Sequence, residues 1–216
     1  MKKIQLVGIG PGNLKYISIN SINILKSSDI LIGSERQLSA FRSEIGENQK
    51  IYIISKLDKM IDYIKDNMDK KISVLVSGDT GFYSIVPYIL KHFEKKLVEI
   101  HPSISSYQYL FSKLFLNWQN YKLASLHGKH FDYLKNIKNS EIDGLVLLTD
   151  NKNTPYEISK NLYLDGNRNL EIIVGENLSY ENEKITIEKL ENYEKLNRTF
   201  DMNILVIRKE ENYAHL

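Results

Sequence analysis

Cysteine is absent from all 216 residues. That one absence removes disulfides, thiolate nucleophiles and sulfur-ligated metal centres together, and makes a reducing cytoplasm the simplest setting. Net charge is also nearly absent, because 29 Lys and Arg against 27 Asp and Glu leave +2. A basic footprint for nucleic acid or an anionic membrane is therefore missing. No apolar run reaches the roughly 18 residues of a membrane span, and Met1-Lys2-Lys3 leads straight into a strand-like segment, so a soluble, unexported protein is expected. The five histidines, at 92, 101, 127, 130 and 215, contain no HExxH arrangement, and no metal site is expected. There is no internal repeat and no low-complexity tract.

What the chain does contain is organised around residues 72–85. Ile72 and Val74-Leu75-Val76 read as a buried strand that ends in the turn Ser77-Gly78-Asp79. Phe82, Ile85, Val86, Ile89, Leu90 and Phe93 recur at three- and four-residue spacing, which predicts a helix capped by Asp79 or Thr80. A strand passing through Gly-Asp into a helix sets a carboxylate and free N–H groups at the carboxyl edge of a sheet, where open α/β folds bind ligands. Asp79 is thus a site candidate, and equally a simple helix cap.

From the start of the chain, residues 3–7 form a strand, followed by Gly8-Ile9-Gly10-Pro11-Gly12 and a helix carrying Leu14, Ile17, Ile22 and Leu25. This is not the dinucleotide fingerprint, since Asn13 stands where a third spaced glycine is needed and Pro11 lacks an N–H. The glycines instead let a ligand approach closely, or let the chain pass under a neighbouring loop. Further strands are expected over 29–32, 51–54 and 97–100, with an amphipathic helix marked by Leu57, Met60, Ile61, Ile64 and Met68, so the first half alternates strand and helix around a mainly parallel sheet. His101-Pro102-Ser103-Ile104-Ser105-Ser106 precedes a helix with Leu110, Phe111 and Leu114; its hydroxyls cap that helix or bond a ligand. The domain boundary is placed in 116–121, giving domains 1–116 and 117–216. In the second half, strands are expected over 122–125, 144–149, 170–174, 184–188 and 203–207, and Thr154-Pro155 opens a helix. The close spacing of the last strands predicts antiparallel pairs in a mixed sheet, with a frayed tail from Lys209.

In this order, Val7-Gly8-Ile9-Gly10-Pro11-Gly12, Gly78-Asp79-Thr80 and Pro102-Ser103-Ile104-Ser105-Ser106 resemble the three loops of the tetrapyrrole methyltransferases. Thr80 replaces the usual proline and Ser103 the usual glycine. The resemblance implies an α/β, two-domain tetrapyrrole methylase (class III methyltransferase) fold, with S-adenosylmethionine in the interdomain cleft. Gly33-Ser34-Glu35-Arg36-Gln37-Leu38, Gly81-Phe82-Tyr83-Ser84-Ile85, Ser125-Leu126-His127-Gly128, Thr149-Asp150-Asn151-Lys152 and Gly175-Glu176-Asn177-Leu178-Ser179-Tyr180 are most similar to the branch that methylates C5 of cobalt-precorrin-7 in cobalamin biosynthesis.

On that resemblance the cofactor is expected against Pro11, Gly78, Asp79, Thr80, Tyr83, Ser105 and Ser106, and against Thr149 and Glu176. Arg36 and Lys129 are candidates for the substrate's carboxylates. His127 is the candidate proton acceptor, or else a ligand of the turn or of a substrate carboxylate. The resemblance further implies a separate C15-methylating and decarboxylating protein and a homodimer. Three alternatives stay open: a nucleotide-dependent oxidoreductase, a non-catalytic tetrapyrrole-binding subunit, and a methyltransferase of the same fold acting on another precorrin ring position.

Overall fold

A computed structural model describes residues 3–128 and 130–210. The chain divides into two compact units, Met1–Ser106 and Tyr107–Leu216.

The first unit holds strands β1 (Ile4–Gly8), β2 (Ile30–Gly33), β3 (Lys50–Ile53), β4 (Ile72–Val76) and β5 (Val98–His101), in the spatial order β3-β2-β4-β1-β5 with every pair parallel. Parallel strands need crossovers, and these are helices α1 (Ile19–Lys26), α2 (Glu35–Ala40), α3 (Leu57–Asp66) and α4 (Val86–His92). Alternate strand residues feed two cores. Ile4, Leu6, Ile30, Ile32, Val74 and Val76 pack with Met60, Ile61 and Ile64 of α3 and Val86 and Ile89 of α4. Val7, Leu31 and Leu75 point the other way, to Leu25 of α1, Leu38 of α2 and Phe41. With both faces covered, β4 is buried along its whole length, as a run of apolar residues requires.

The second unit holds α5 (Ser106–Leu114), β6 (Tyr121–Ser125), α6 (Tyr133–Ile137), β7 (Gly144–Leu148), α7 (Pro155–Leu164), β8 (Leu170–Glu176), β9 (Lys184–Lys189) and β10 (Asn203–Lys209). Its order is β6-β7-β10-β8-β9; β6 and β7 are parallel and the remaining pairs antiparallel, the mixed sheet expected from the short connections. Leu145, Leu147, Ile172, Val174, Leu205 and Ile207 bury one face against Ile158 and Leu162 of α7. Gly144 is demanded by the ladder, since a Cβ there would lie 2.0 Å from the Ile207 carbonyl oxygen.

Several expectations shift. The division falls at the start of α5 and not within 116–121, because α5 packs on the second sheet: Phe111 meets Tyr121 edge-on at 4.7 Å, and Leu110 lies over Gly175. The helix expected from Asp79 begins only at Val86. Gly78 (φ 66) and Tyr83 (φ 45) are left-handed, and that conformation interrupts any helical run across 78–83. After the first loop, Leu14–Tyr16 is a single 3-10 turn, and α1 starts at Ile19 behind the cap Ser18, whose Oγ accepts from Ser21 N at 3.0 Å. At the other end, Lys209 belongs to β10 and Glu210 N donates to the Asn169 carbonyl, so the tail expected from 209 is ordered there; residues 211–216 lie outside the described residues.

Candidate functional site

In the first unit β4, β1 and β5 are adjacent and parallel, so the loops that leave their carboxyl ends emerge side by side. Gly10 and Gly78 pair through the main chain, with Gly78 N donating to Gly10 O at 2.8 Å and Gly10 N to Gly78 O at 3.3 Å. Both have positive φ, which glycine adopts at no steric cost. Gly8 makes room for the third loop, since a Cβ on it would lie 2.8 Å from Ser103 Cβ. That vacancy is how the chain accommodates serine at 103, where φ is not left-handed and a glycine is not required.

Asp79 joins two of the loops. One carboxylate oxygen accepts from Gly81 N at 2.7 Å and the other from Ser103 N at 3.2 Å, while the side chain stays half-buried. It is a cross-loop anchor rather than a helix cap. Thr80 (4% exposed) and Ser105 (1%) are buried beside it, Pro11 is buried in the first loop, and the carbonyl of Thr80 accepts from Ser84 Oγ. Tyr83 is 46% exposed in its left-handed conformation, a strained backbone of the kind that gathers at functional loops. Arg36 reaches the same edge from α2. Ser34 and Gln37 form a capping box at that helix start, and Arg36 Nη2 and Gln37 Nε2 both donate to Ser77 Oγ, at 3.2 and 2.8 Å.

In the second unit the corresponding edge is an open basin of about 1380 Å³ beyond the ends of β6 and β7 and the start of β10. His127, Thr149, Asp150, Arg198, Asp201 and Asn203 are among its lining. His127 follows β6, its N–H directed at Ser125 Oγ (3.3 Å). Asp150 follows β7, which pairs with β6 in the register Ser125 to Leu148, so the two residues stand at matching positions just past the ends of neighbouring strands. The N–H groups of Asn153 (2.7 Å) and Lys152 (2.8 Å) hold the Asp150 carboxyl below its usual range, the first being the larger cause, with a smaller contribution from His127. Thr149 Oγ1 donates to Asn203 Oδ1 at 2.8 Å.

Glu176 is not among the basin's lining residues. It is 5% exposed and forked onto Arg198, with Nη1 on Oε1 at 3.0 Å and Nη2 on Oε2; Oε1 also accepts from Asp201 N at 3.3 Å. Lys129 lies outside the described residues. Apart from Glu176 and Lys129, the expected residues fall into two groups, one at the loops of the first unit and one at the basin of the second, and Arg198, Asp201 and Asn203 carry no direct signal in the sequence. Their only signal in the sequence was indirect: a glutamate at the end of an apolar strand requires a cation. Among the described residues no group of three or more His, Cys, Asp or Glu is placed to hold a metal, and no helix is long and apolar enough to cross a membrane.

The family profile described as Tetrapyrrole (Corrin/Porphyrin) Methylases matches residues 3–194. The chain belongs to this family. Among its relatives, the "Probable cobalt-precorrin-7 C(5)-methyltransferase" of Methanocaldococcus jannaschii is 36% identical over 195 residues, covering 87% of this chain and 89% of the relative. The cobalt-precorrin-7 C(5)-methyltransferase of Salmonella typhimurium is 30% identical over 209 residues, covering 96% and 99%. Among solved structures, the uroporphyrin-III C-methyl transferase of Thermus thermophilus, complexed with S-adenyl homocysteine, superposes with a TM-score of 0.72 over 96% of this methylase and 98% of that chain, at 17% identity. The shared fold is that of the class III methyltransferases.

Proposed function

We propose that this tetrapyrrole methylase transfers a methyl group from S-adenosylmethionine to C5 of cobalt-precorrin-7, in cobalamin biosynthesis. The observation that carries the reading is the match, over 87% and 96% of the chain, to two relatives whose names state that reaction. The loops of the first unit suit the methyl donor. Asp79 presents a half-buried carboxylate, fixed by two N–H groups, to a ligand that carries both an ammonium and a sulfonium. Pro11, Gly78, Thr80, Tyr83, Ser105 and Ser106 lie in the same three loops of the first unit and are assigned to the same ligand.

The donor brings an activated methyl group, so the protein's task is to hold two reactants in line and to accept the proton that C5 releases as the new C–C bond forms. No metal or covalent nucleophile is needed for that. His127, on the wall of the basin and beside the fixed anion Asp150, is the group assigned to the proton. Arg36, at the same edge as Asp79, is assigned to a substrate carboxylate. A separate protein methylating C15, a homodimeric state and a cytoplasmic location complete the reading.

The test is anaerobic incubation with cobalt-precorrin-7 and S-adenosylmethionine, followed by mass spectrometry and NMR of the product. One added methyl at C5, with C15 and the ring C acetate untouched, is expected. A doubly methylated or decarboxylated corrinoid, or efficient methylation of another precorrin but not of this one, would overturn it.

A further inference from the structure

The carboxyl end of β8 and the residue after it do not line the basin, yet they are bonded to the segment that does. Glu176 accepts from both terminal guanidinium nitrogens of Arg198 and from the N–H of Asp201. Asn177 N donates to the Met202 carbonyl at 2.9 Å, and its Nδ2 donates to Asp201 Oδ2 at 3.0 Å. Arg198, Asp201 and Met202 all face the basin. From there the bonding continues through Asn203 to Thr149 Oγ1, and so to the end of β7.

Two features show that this wall is built for support. Arg198 Nη1 is shared between Glu176 and the Thr199 carbonyl, at 3.0 Å each, and Nη2 between Glu176 and Thr186 Oγ1 (3.5 Å), while the guanidinium lies 3.8 Å over the Phe200 ring. With both terminal nitrogens committed, the fork that arginine offers a carboxylate is already used. Glu176, in turn, is buried, and a buried carboxylate that loses its cation is left uncompensated. Asn177 sits at φ 46, a left-handed position that asparagine tolerates better than most residues, and that conformation turns the chain so that both its N–H and its amide reach the 201–202 segment.

We infer that Glu176 and Asn177 are positioning residues: they set how tightly the basin holds its ligand by fixing the 198–203 wall, and neither touches that ligand. The inference rests on the methyltransferase reading only for the identity of the ligand. Hydrogen exchange of the whole unliganded protein is measured first, for Glu176→Gln and for Asn177→Gly, a variant that keeps the backbone conformation and removes the amide. Exchange of the amides of 198–203 should quicken by about tenfold or more in each, with the rest of the second sheet unchanged. Unchanged exchange in that segment would overturn the inference whatever the enzyme's substrate.

Steady-state kinetics with cobalt-precorrin-7 and calorimetry with S-adenosylhomocysteine then locate the effect. Glu176→Gln should raise the cobalt-precorrin-7 KM about tenfold with kcat and the S-adenosylhomocysteine Kd each within about twofold, and Glu176→Gln combined with Arg198→Ala should be no worse than Arg198→Ala alone. A fall in kcat at constant KM, a purely additive double variant, or loosened exchange without any change in affinity would each contradict it. Absence of any turnover or binding in the wild type is a distinct result, which rejects the methyltransferase reading and leaves the exchange result to decide the role of the wall.

Discussion

The two carboxyl edges are assembled by different means. In the first unit three loops are joined through the main chain, by the Gly10–Gly78 pair and the seating of Ser103 over Gly8, and the Asp79 side chain bridges two of them. In the second unit the basin is shaped by side-chain pairs between residues distant in sequence, Glu176 with Arg198 and Thr149 with Asn203. A main-chain assembly depends on where side chains are absent, so it tolerates substitution outside its glycines. A side-chain assembly depends on particular partners, and each loss propagates along the wall. The first arrangement suits a common methyl donor, and the second leaves room to vary what the basin accepts.

Substitutions can break this contrast or sharpen it. The largest effect is expected at His127. His127→Asn keeps a donor and an acceptor but cannot take a proton near neutral pH, so kcat should fall by roughly 10²–10⁴ at unchanged KM; a rise in KM at constant kcat would make His127 a binding residue of the basin. Next comes Asp79→Ala. Loss of a charge-assisted partner is worth about 1.5–3 kcal/mol, so the S-adenosylhomocysteine Kd should rise roughly ten- to a hundredfold in calorimetry. If the variant binds normally and only melts earlier, Asp79 serves the loops alone.

Gly8→Ala tests the main-chain assembly itself. Its Cβ meets Ser103 Cβ, and overpacking of this kind costs about 1–3 kcal/mol, read as a lower melting temperature of the first unit. Ser103→Gly removes the nearest atom it strikes but leaves the Ser103 N and the His101 carbonyl oxygen at 3.0 and 3.1 Å, so it should restore part of the loss; no restoration at all would place the strain elsewhere. The smallest effect concerns Asp150. Its carboxyl is held below the usual range, chiefly by the Asn153 N–H, so its contribution to stability is present above the unfolded pKa of about 3.9 and is lost as pH falls through the lower folded value. Asp150→Asn should therefore melt slightly below wild type at pH 6, with the gap closing toward pH 3; a gap that widens on acidification would reverse the sign.

The same contrast explains what could be read beforehand. Among the described residues the strands are legible in the sequence, β4 to the residue because it is a buried apolar run, and those of the second sheet because they carry their own turns. The loops of the first unit were visible because glycine and Asp79 mark them directly. The helix after β4 was not placed correctly, since Phe82 and Ile85 continue the apolar spacing of α4 across a stretch that Gly78 and Tyr83 hold in left-handed conformations. Helix α5 was assigned to the wrong unit because nothing local to Leu110 or Phe111 says which sheet they cover. Glu176 was recognised as notable for its motif, but its partner stands 22 positions away, and a pair at that separation leaves no periodic trace.

The methyl donor is proposed to bind at the loops of the first unit. Titration calorimetry of the wild-type chain with S-adenosylhomocysteine, with NADH as the control, tests it most directly. Saturable one-site binding of S-adenosylhomocysteine, weakened in Asp79→Ala, and no heat from NADH are the predicted results. Binding of NADH alone, or S-adenosylhomocysteine bound equally well by wild type and Asp79→Ala, would contradict the account.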